Sequence, residues 1–326
     1  MLQSSLLVLL CALLWYTYVT PPGHVGCPLS ETVTSLERAP GQLAEIAGGR
    51  TYYRLQGDEA NELVVLVHGF SSQSEVSYEF LVEPLLQAQY RVLYYDLWGR
   101  GHSDAPLGVT YDATLFTHQL LDLLEHLELS CERIHLVGLS MGGAVSIHFS
   151  YMYPARVRSL TLISSAGLPL HKPWASRLVE RLPTFIGWPL FRLLSPSQLG
   201  KFIARELPDL EQQTQREIFA SYDRSLHINL EHNEGFLRAL YRTVVDFPME
   251  SMQAQLTAIG SDPRRVLLLW GEEDVAIPLS CAHQMLETLP NARLVTIAGG
   301  SHVAVAQQPR FAADTILQFL RQLEDE

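Results

Sequence analysis

The chain has 326 residues, 47% of them hydrophobic and 18% charged, with a formal charge of −12. That is too apolar for a disordered chain and too acidic for a binder of phosphate backbones, so no nucleic-acid partner is expected. Its four cysteines, Cys11, Cys27, Cys131 and Cys281, are scattered without metal-ligand spacing, which excludes a disulfide scaffold and a zinc module.

In chain order, the first feature is an uncharged start. No Asp, Glu, Lys or Arg precedes Glu31, and Leu6 to Val19 is an almost unbroken apolar run closed by Pro21-Pro22-Gly23. With Leu2 to Ser5 it approaches the roughly 17 to 25 residues of a spanning helix. Trp15, Tyr16 and Tyr18 cluster at one end, as interfacial aromatics do. The basic start and small-x-small site of a cleaved signal are both missing. Residues 1–22 are therefore expected to be an N-terminal single-pass anchor, which makes the expected location a membrane. The alternative is a cleaved signal and a secreted or lumenal protein. A Pro- and Gly-rich linker is expected over 23–48.

Short apolar runs then alternate with helical patterns. Glu62 to Val67, Arg91 to Asp96, Arg133 to Gly138, Val157 to Ile163, Arg265 to Trp270 and Arg293 to Ile297 are apolar on both faces, as buried parallel strands are. Between them Phe116, Leu120, Leu123, Leu124 and Leu127 recur at helical spacing. Such alternation predicts a parallel sheet covered by helices on both faces. It lapses between Gly167 and Gly260, where Leu182, Phe185, Ile186, Trp188, Leu190, Phe191, Leu193 and Leu194 make a helical pattern strongly apolar. From Gly167 to Glu250 there are 10 basic and 10 acidic residues, so the whole −12 lies outside that stretch. Residues 49–166 and 261–326 are read as the core. Residues 167–260 are read as a helical insertion over the carboxyl edge of the strands, where open α/β sheets carry their sites.

The chemistry-bearing residues fall at that edge. Gly138-Leu139-Ser140-Met141-Gly142 follows a predicted strand and opens a predicted helix, a context that turns Gly-x-Ser-x-Gly into a nucleophile elbow. A serine hydroxyl needs a base. Of the 12 histidines, His302 has the setting for it, on the loop after the last predicted strand behind Gly299-Gly300. The imidazole needs an anionic orienter, and Asp274 follows the preceding strand; Glu272 and Glu273 are read as solvated surface. The order Ser140, Asp274, His302 matches one fold's ordering of the triad. Two N–H donors would hold the oxyanion, one from Met141 and one from Phe70 in the loop His68-Gly69-Phe70-Ser71. His68 is expected to support that loop. Asp96 and Arg100, in the Gly-rich run ending at Asp104, are expected to form an internal ion pair within a hydrogen-bonded loop.

Taken together, His68-Gly69-Phe70, the run from Asp96 to Asp104, Gly138 to Gly143, Asp274 and His302 resemble the α/β-hydrolase superfamily over about residues 50 to 324. Within it the chain looks most like membrane-anchored monoacylglycerol lipases, through the apolar start, Ser140-Met141-Gly142-Gly143 and the apolar insertion. The resemblance implies an α/β-hydrolase fold: a mostly parallel sheet flanked by helices, with a helical cap inserted after the sixth strand. It implies a serine hydrolase cleaving carboxylic esters of lipid-like substrates such as monoacylglycerols through an acyl-enzyme, with a membrane contact through the start of the chain and the cap. No cofactor or metal is required. Two alternatives accompany it. One is a carbon–carbon bond hydrolase of ring-cleavage products, although Phe70-Ser71-Ser72-Gln73 lacks the Gly-rich loop usual there. The other is a slow-turnover ligand-binding homologue.

Overall fold

The computed structural model describes residues 41–130, 132–169, 180–207 and 212–323. Eight strands form one sheet: β1 (Gln42–Ile46), β2 (Gly49–Gln56), β3 (Leu63–Val67), β4 (Arg91–Tyr95), β5 (Ile134–Leu139), β6 (Val157–Ile163), β7 (Arg265–Gly271) and β8 (Ala292–Ile297). Their spatial order is β1-β2-β4-β3-β5-β6-β7-β8. Strands β3 to β8 run parallel, whereas β1 and β2 enter antiparallel at one edge. The helices are α1 (Ser74–Gln87), α2 (Ala113–His126), α3 (Met141–Met152), α4 (Thr184–Glu206), α5 (Gln213–His232), α6 (Phe236–Asp246), α7 (Gln253–Gly260), α8 (Leu279–Thr288), α9 (Ala304–Gln307) and α10 (Pro309–Gln322). This is an α/β-hydrolase fold, and among the described residues four helices, α4 to α7, lie between the sixth strand and the seventh.

The pleat explains why the parallel strands read as continuous apolar runs. In β3, Val65 and Val67 join the core beneath α2 and α3, while Val64 and Leu66 join the core beneath α1 and α10. Strand β7 divides likewise, Val266, Leu268 and Trp270 to one side and Leu267 and Leu269 to the other. Each fully buried aliphatic side chain removes enough apolar surface from water to contribute about 1.5–3 kcal/mol. Helix α2 buries Phe116, Leu120, Leu123 and Leu124, and Asp112 caps it by accepting the Leu115 N–H at 2.9 Å.

Two expectations need correction. The sheet begins before residue 49, because β1 lies inside the stretch expected as a linker. Strand β1 pairs with β2 through a tight reversal at Gly48, whose φ of 101° suits a residue without Cβ. The membrane location is the second. Among the described residues no helix is long and apolar enough to cross a membrane, and the anchor expected at 1–22 lies outside the described residues. The transmembrane reading is therefore withdrawn.

The helices between β6 and β7 are seated on the loop after β4. The Gly101 N–H donates to Asn229 Oδ1 of α5 at 2.8 Å, and Asn233 Nδ2 donates back to the Gly101 carbonyl at 3.1 Å. Arg238 of α6 reaches the Ala105 carbonyl at 3.1 Å, and the Tyr111 N–H donates to Asp246 at 3.0 Å. Helix α4 meets them differently, through apolar contacts: the rings of Trp188 and Phe191 lie tilted against that of Tyr241 of α6. Leu226, Phe236 and Leu240 form a small buried cluster that Phe191, Leu199, Ile203 and Phe70 pack against.

Candidate active site

Ser140 stands where β5 turns into α3. Its φ of 56° and ψ of −118° place it in a sparsely populated region, a conformation that costs about 1–3 kcal/mol and persists only where the surroundings dictate it. Here they do. The Ser140 N–H donates to the Ile163 carbonyl at 2.9 Å, and its own carbonyl accepts from Gly143 and Ala166, both at 3.0 Å. The flanking glycines are steric necessities: a Cβ on Gly142 would collide with the Val67 and His68 carbonyls, and one on Gly138 with the Gly142 carbonyl.

The structure brings the three expected residues together. His302 Nε2 lies 3.0 Å from Ser140 Oγ, and His302 Nδ1 lies 2.9 Å from Asp274 Oδ2. His302 arrives on the loop after β8, turned by Gly299 at φ 64°. Asp274 arrives on the loop after β7, where its other oxygen accepts the Ala276 and Ile277 N–H groups at 2.9 and 2.8 Å. His302 and Asp274 are buried, whereas Glu272 and Glu273 are exposed, as expected. Burial alone would lower the His302 pKa. The hydrogen bond that the ring donates to Asp274, the Asp274 charge and that of Glu206 outweigh burial, and the pKa rises above the usual 6.5.

The expected oxyanion donors lie on the two backbone segments that meet at Ser140. Met141 opens α3, where first-turn N–H groups lack intrahelical acceptors. The loop after β3 passes close enough that a Cβ on Gly69 would sit 3.4 Å from Ser140 Cβ. His68 supports this loop, as expected. Its Nδ1–H donates to the Gly69 carbonyl and its Nε2 accepts the Leu97 N–H, both at 2.8 Å, and burial lowers its pKa to about 4. The neutral ring is therefore fixed in one tautomer.

The expected Asp96–Arg100 ion pair is not what these residues form. Asp96 accepts from the Ser74 N–H and hydroxyl at 2.9 and 2.7 Å and from the His102 N–H at 3.0 Å. Arg100 is fully buried and donates to the Phe70 carbonyl at 2.9 Å, the Trp98 carbonyl at 3.0 Å and Thr243 Oγ1 at 2.9 Å. Its guanidinium lies over the Phe70 and Phe116 rings, and burial lowers its pKa to about 9. Opposite charges in one loop suggested pairing. Backbone donors claim the carboxylate instead, and backbone carbonyls claim the guanidinium. The ion pair of this loop is Arg50 with Asp104, at 3.0 Å.

One residue of the site went unforeseen in the sequence. Glu206, the last residue of α4, accepts the His302 backbone N–H at 3.1 Å. Phe202, one turn earlier, meets the His302 ring edge-on at a centroid distance of 6.1 Å.

A mostly parallel sheet with helices on both faces, a serine on a strand-to-helix elbow and a carboxylate-bound histidine facing it describe an α/β hydrolase. The chain belongs to the alpha/beta hydrolase family, whose sequence profile matches residues 64–315. It is 29% identical over 280 residues to the dihydrolipoyllysine-residue acetyltransferase component of the acetoin cleaving system of Pseudomonas putida, covering 86% of this chain and 69% of that protein. It is 26% identical over 270 residues to the 2-hydroxy-6-oxononadienedioate/2-hydroxy-6-oxononatrienedioate hydrolase of Escherichia coli, covering 81% and 88%. A thermophilic esterase from Thermogutta terrifontis shares the fold, with a TM-score of 0.71 and 21% identity over 87% of this chain and 98% of that one.

Proposed function

We propose that this hydrolase cleaves carboxylic esters with an apolar acyl or alcohol part, monoacylglycerols among them, through an acyl-enzyme on Ser140. The observation that carries the reading is the hydrogen-bonded chain Ser140–His302–Asp274. His302 Nε2 takes the Ser140 proton as Oγ attacks the ester carbonyl, and the Phe70 and Met141 N–H groups receive the oxyanion. His302 then protonates the departing alcohol, and water, deprotonated by the same ring, releases the acid. The apolar character of the substrate rests on its surroundings: Phe70 packs, with Phe191, Leu199 and Ile203, against the buried cluster of Leu226, Phe236 and Leu240.

A carbon–carbon hydrolase is the second reading, favoured by the likeness to the Escherichia coli enzyme. A dicarboxylate such as that enzyme's name describes needs cations beside the nucleophile. Arg100 has its donors on carbonyls and a hydroxyl, and the charge added beside His302 is the carboxylate of Glu206. Both points support a neutral ester instead. The test is hydrolysis by wild type and Ser140→Ala over a panel of p-nitrophenyl esters, monoacylglycerols and ring-cleavage dienoates. Loss of at least about a thousandfold in the variant is expected. Full activity in Ser140→Ala would sink the mechanism, and preference for the dienoate would sink the substrate class.

A further inference from the structure

We propose that Glu206, carried by the cap helix α4, is a positioning residue for His302, so that a seated cap is a condition for a correctly set base. The inference rests on the reading of Ser140 and His302 given above. Its geometry is specific. Glu206 Oε2 accepts the His302 backbone N–H at 3.1 Å, while Asp274 Oδ2 accepts from the ring Nδ1 at 2.9 Å. His302 is thus held by two carboxylates from two different parts of the fold, one on its ring and one on its backbone.

The setting of Glu206 is costly for stability. Its side chain is fully buried, and a buried carboxylate is desolvated at a cost. It ends α4, where the helix dipole disfavours an anion. The cation near it is Arg205, 3.5 Å from Oε1 and 61% exposed, a weak and solvent-screened partner. A residue unfavourable on each of these counts, yet hydrogen-bonded to the base, acts through that bond. It also explains how α4 is tied to the catalytic loops, since its remaining contacts described above are apolar.

The groups facing His302 from each neighbouring element are few. Asp274 comes from the loop after β7, and the Cys281 thiol of α8 feels the same Asp274 charge. Ser140 comes from the elbow. Glu206 and Arg205 come from α4, together with Phe202, whose ring carries the Arg205 guanidinium at 5.5 Å. Of the two carboxylates, Glu206 can be neutralised without disturbing the ring's own hydrogen bond.

The test is kcat/KM against pH for ester hydrolysis by the full chain. Glu206→Gln keeps an oxygen for the His302 N–H but removes the charge. Its acid limb should fall by about half a unit to one unit, with the plateau within about threefold of wild type. Glu206→Ala removes both and should lower plateau kcat by about tenfold, with KM little changed. Arg205→Ala strips the partner cation from an exposed position and should move the limb upward by a smaller amount. A filler residue would leave all limbs in place. Wild-type plateau kcat in folded Glu206→Ala, or unmoved limbs in folded Glu206→Gln or, should neither fold, in Arg205→Ala, overturn the proposal. With Ser140→Ala run alongside, unmoved limbs and an inactive Ser140→Ala overturn the role of Glu206 alone. A fully active Ser140→Ala overturns the serine-hydrolase reading and the role of Glu206 with it.

Discussion

Asp274→Asn is a substitution whose outcome the geometry dictates step by step. Asp274 Oδ1 accepts two backbone N–H groups, from Ala276 and Ile277, and Oδ2 accepts the His302 Nδ1–H at 2.9 Å. Asparagine has one oxygen, and the two backbone donors claim it. Its NH₂ then faces Nδ1, which must become an acceptor, so the ring proton moves to Nε2. That N–H points at Ser140 Oγ, 3.0 Å away, and cannot accept the serine proton. A reversed tautomer of this kind costs about ten-thousand-fold in kcat, or about 5 kcal/mol at about 1.36 kcal/mol per factor of ten. The fold should persist, because the loop keeps its two backbone bonds.

Stability supplies an independent check on the same residue. The folded-state pKa of His302 is raised, so folding favours the protonated ring. That contribution is fully present below the unfolded value of 6.5 and is lost as pH rises through the higher folded value. Asp274→Asn removes its main causes, so its Tm deficit should be larger at about pH 5.5 than at about pH 8.5. The assay is kcat on an ester at the plateau pH, with thermal unfolding at both pH values. A variant keeping more than about a tenth of wild-type kcat with an unchanged fold would refute the tautomer argument.

Other outcomes follow from the same coordinates. Wild-type kcat/KM should fall on acidification with a limb above pH 6.5, because neighbouring carboxylates hold the His302 pKa up; a rate profile finds it, and a limb below 6.5 contradicts the balance of burial against Asp274 and Glu206. Gly142→Ala drives a methyl into the Val67 and His68 carbonyls. It should cost about 2 kcal/mol of stability, or a Tm drop of about 4 °C, and displace the Met141 N–H enough to cut kcat; calorimetry and kinetics on the soluble fraction read both.

What was legible in the sequence follows burial. Strands β3 to β7 read as apolar runs because helices cover both faces, every residue of β3 and of β4 being buried; the edge strand β8 was legible from Leu294, Val295 and Ile297, although only Ile297 is buried. Strands β1 and β2 went unread because an edge hairpin is half wet, and Gln42-Leu43-Ala44-Glu45-Ile46 looks like linker. Ser140, Asp274 and His302 could be picked out because each follows the carboxyl end of a parallel strand, so topology alone takes all three to one edge. Glu206 could not. Arg205-Glu206 at a helix end reads as solvated charge, and only the packing of α4 against the His302 loop turns it inward. Arg100 failed differently: its charge was visible, but the carbonyls of Phe70 and Trp98 that claim it are backbone groups, present under any side chain.

The helices between β6 and β7 are seated unequally, which would give the proposed approach to Ser140 a fixed wall and a tunable one. Helices α5 and α6 are bolted by Asn229, Asn233 and Arg238 to the loop after β4, whose Arg100 also holds the Phe70 carbonyl and Thr243 of α6. A substitution there would perturb the Phe70 loop, proposed to hold the oxyanion, along with substrate choice. Helix α4 meets α6 through Trp188 and Phe191 and leaves Leu193 77% exposed. Changes along α4 before Phe202, whose ring meets His302, can reshape what reaches the serine while the reaction centre keeps its geometry. A library confined to residues 184–201 is therefore the economical place to redirect this hydrolase toward new esters.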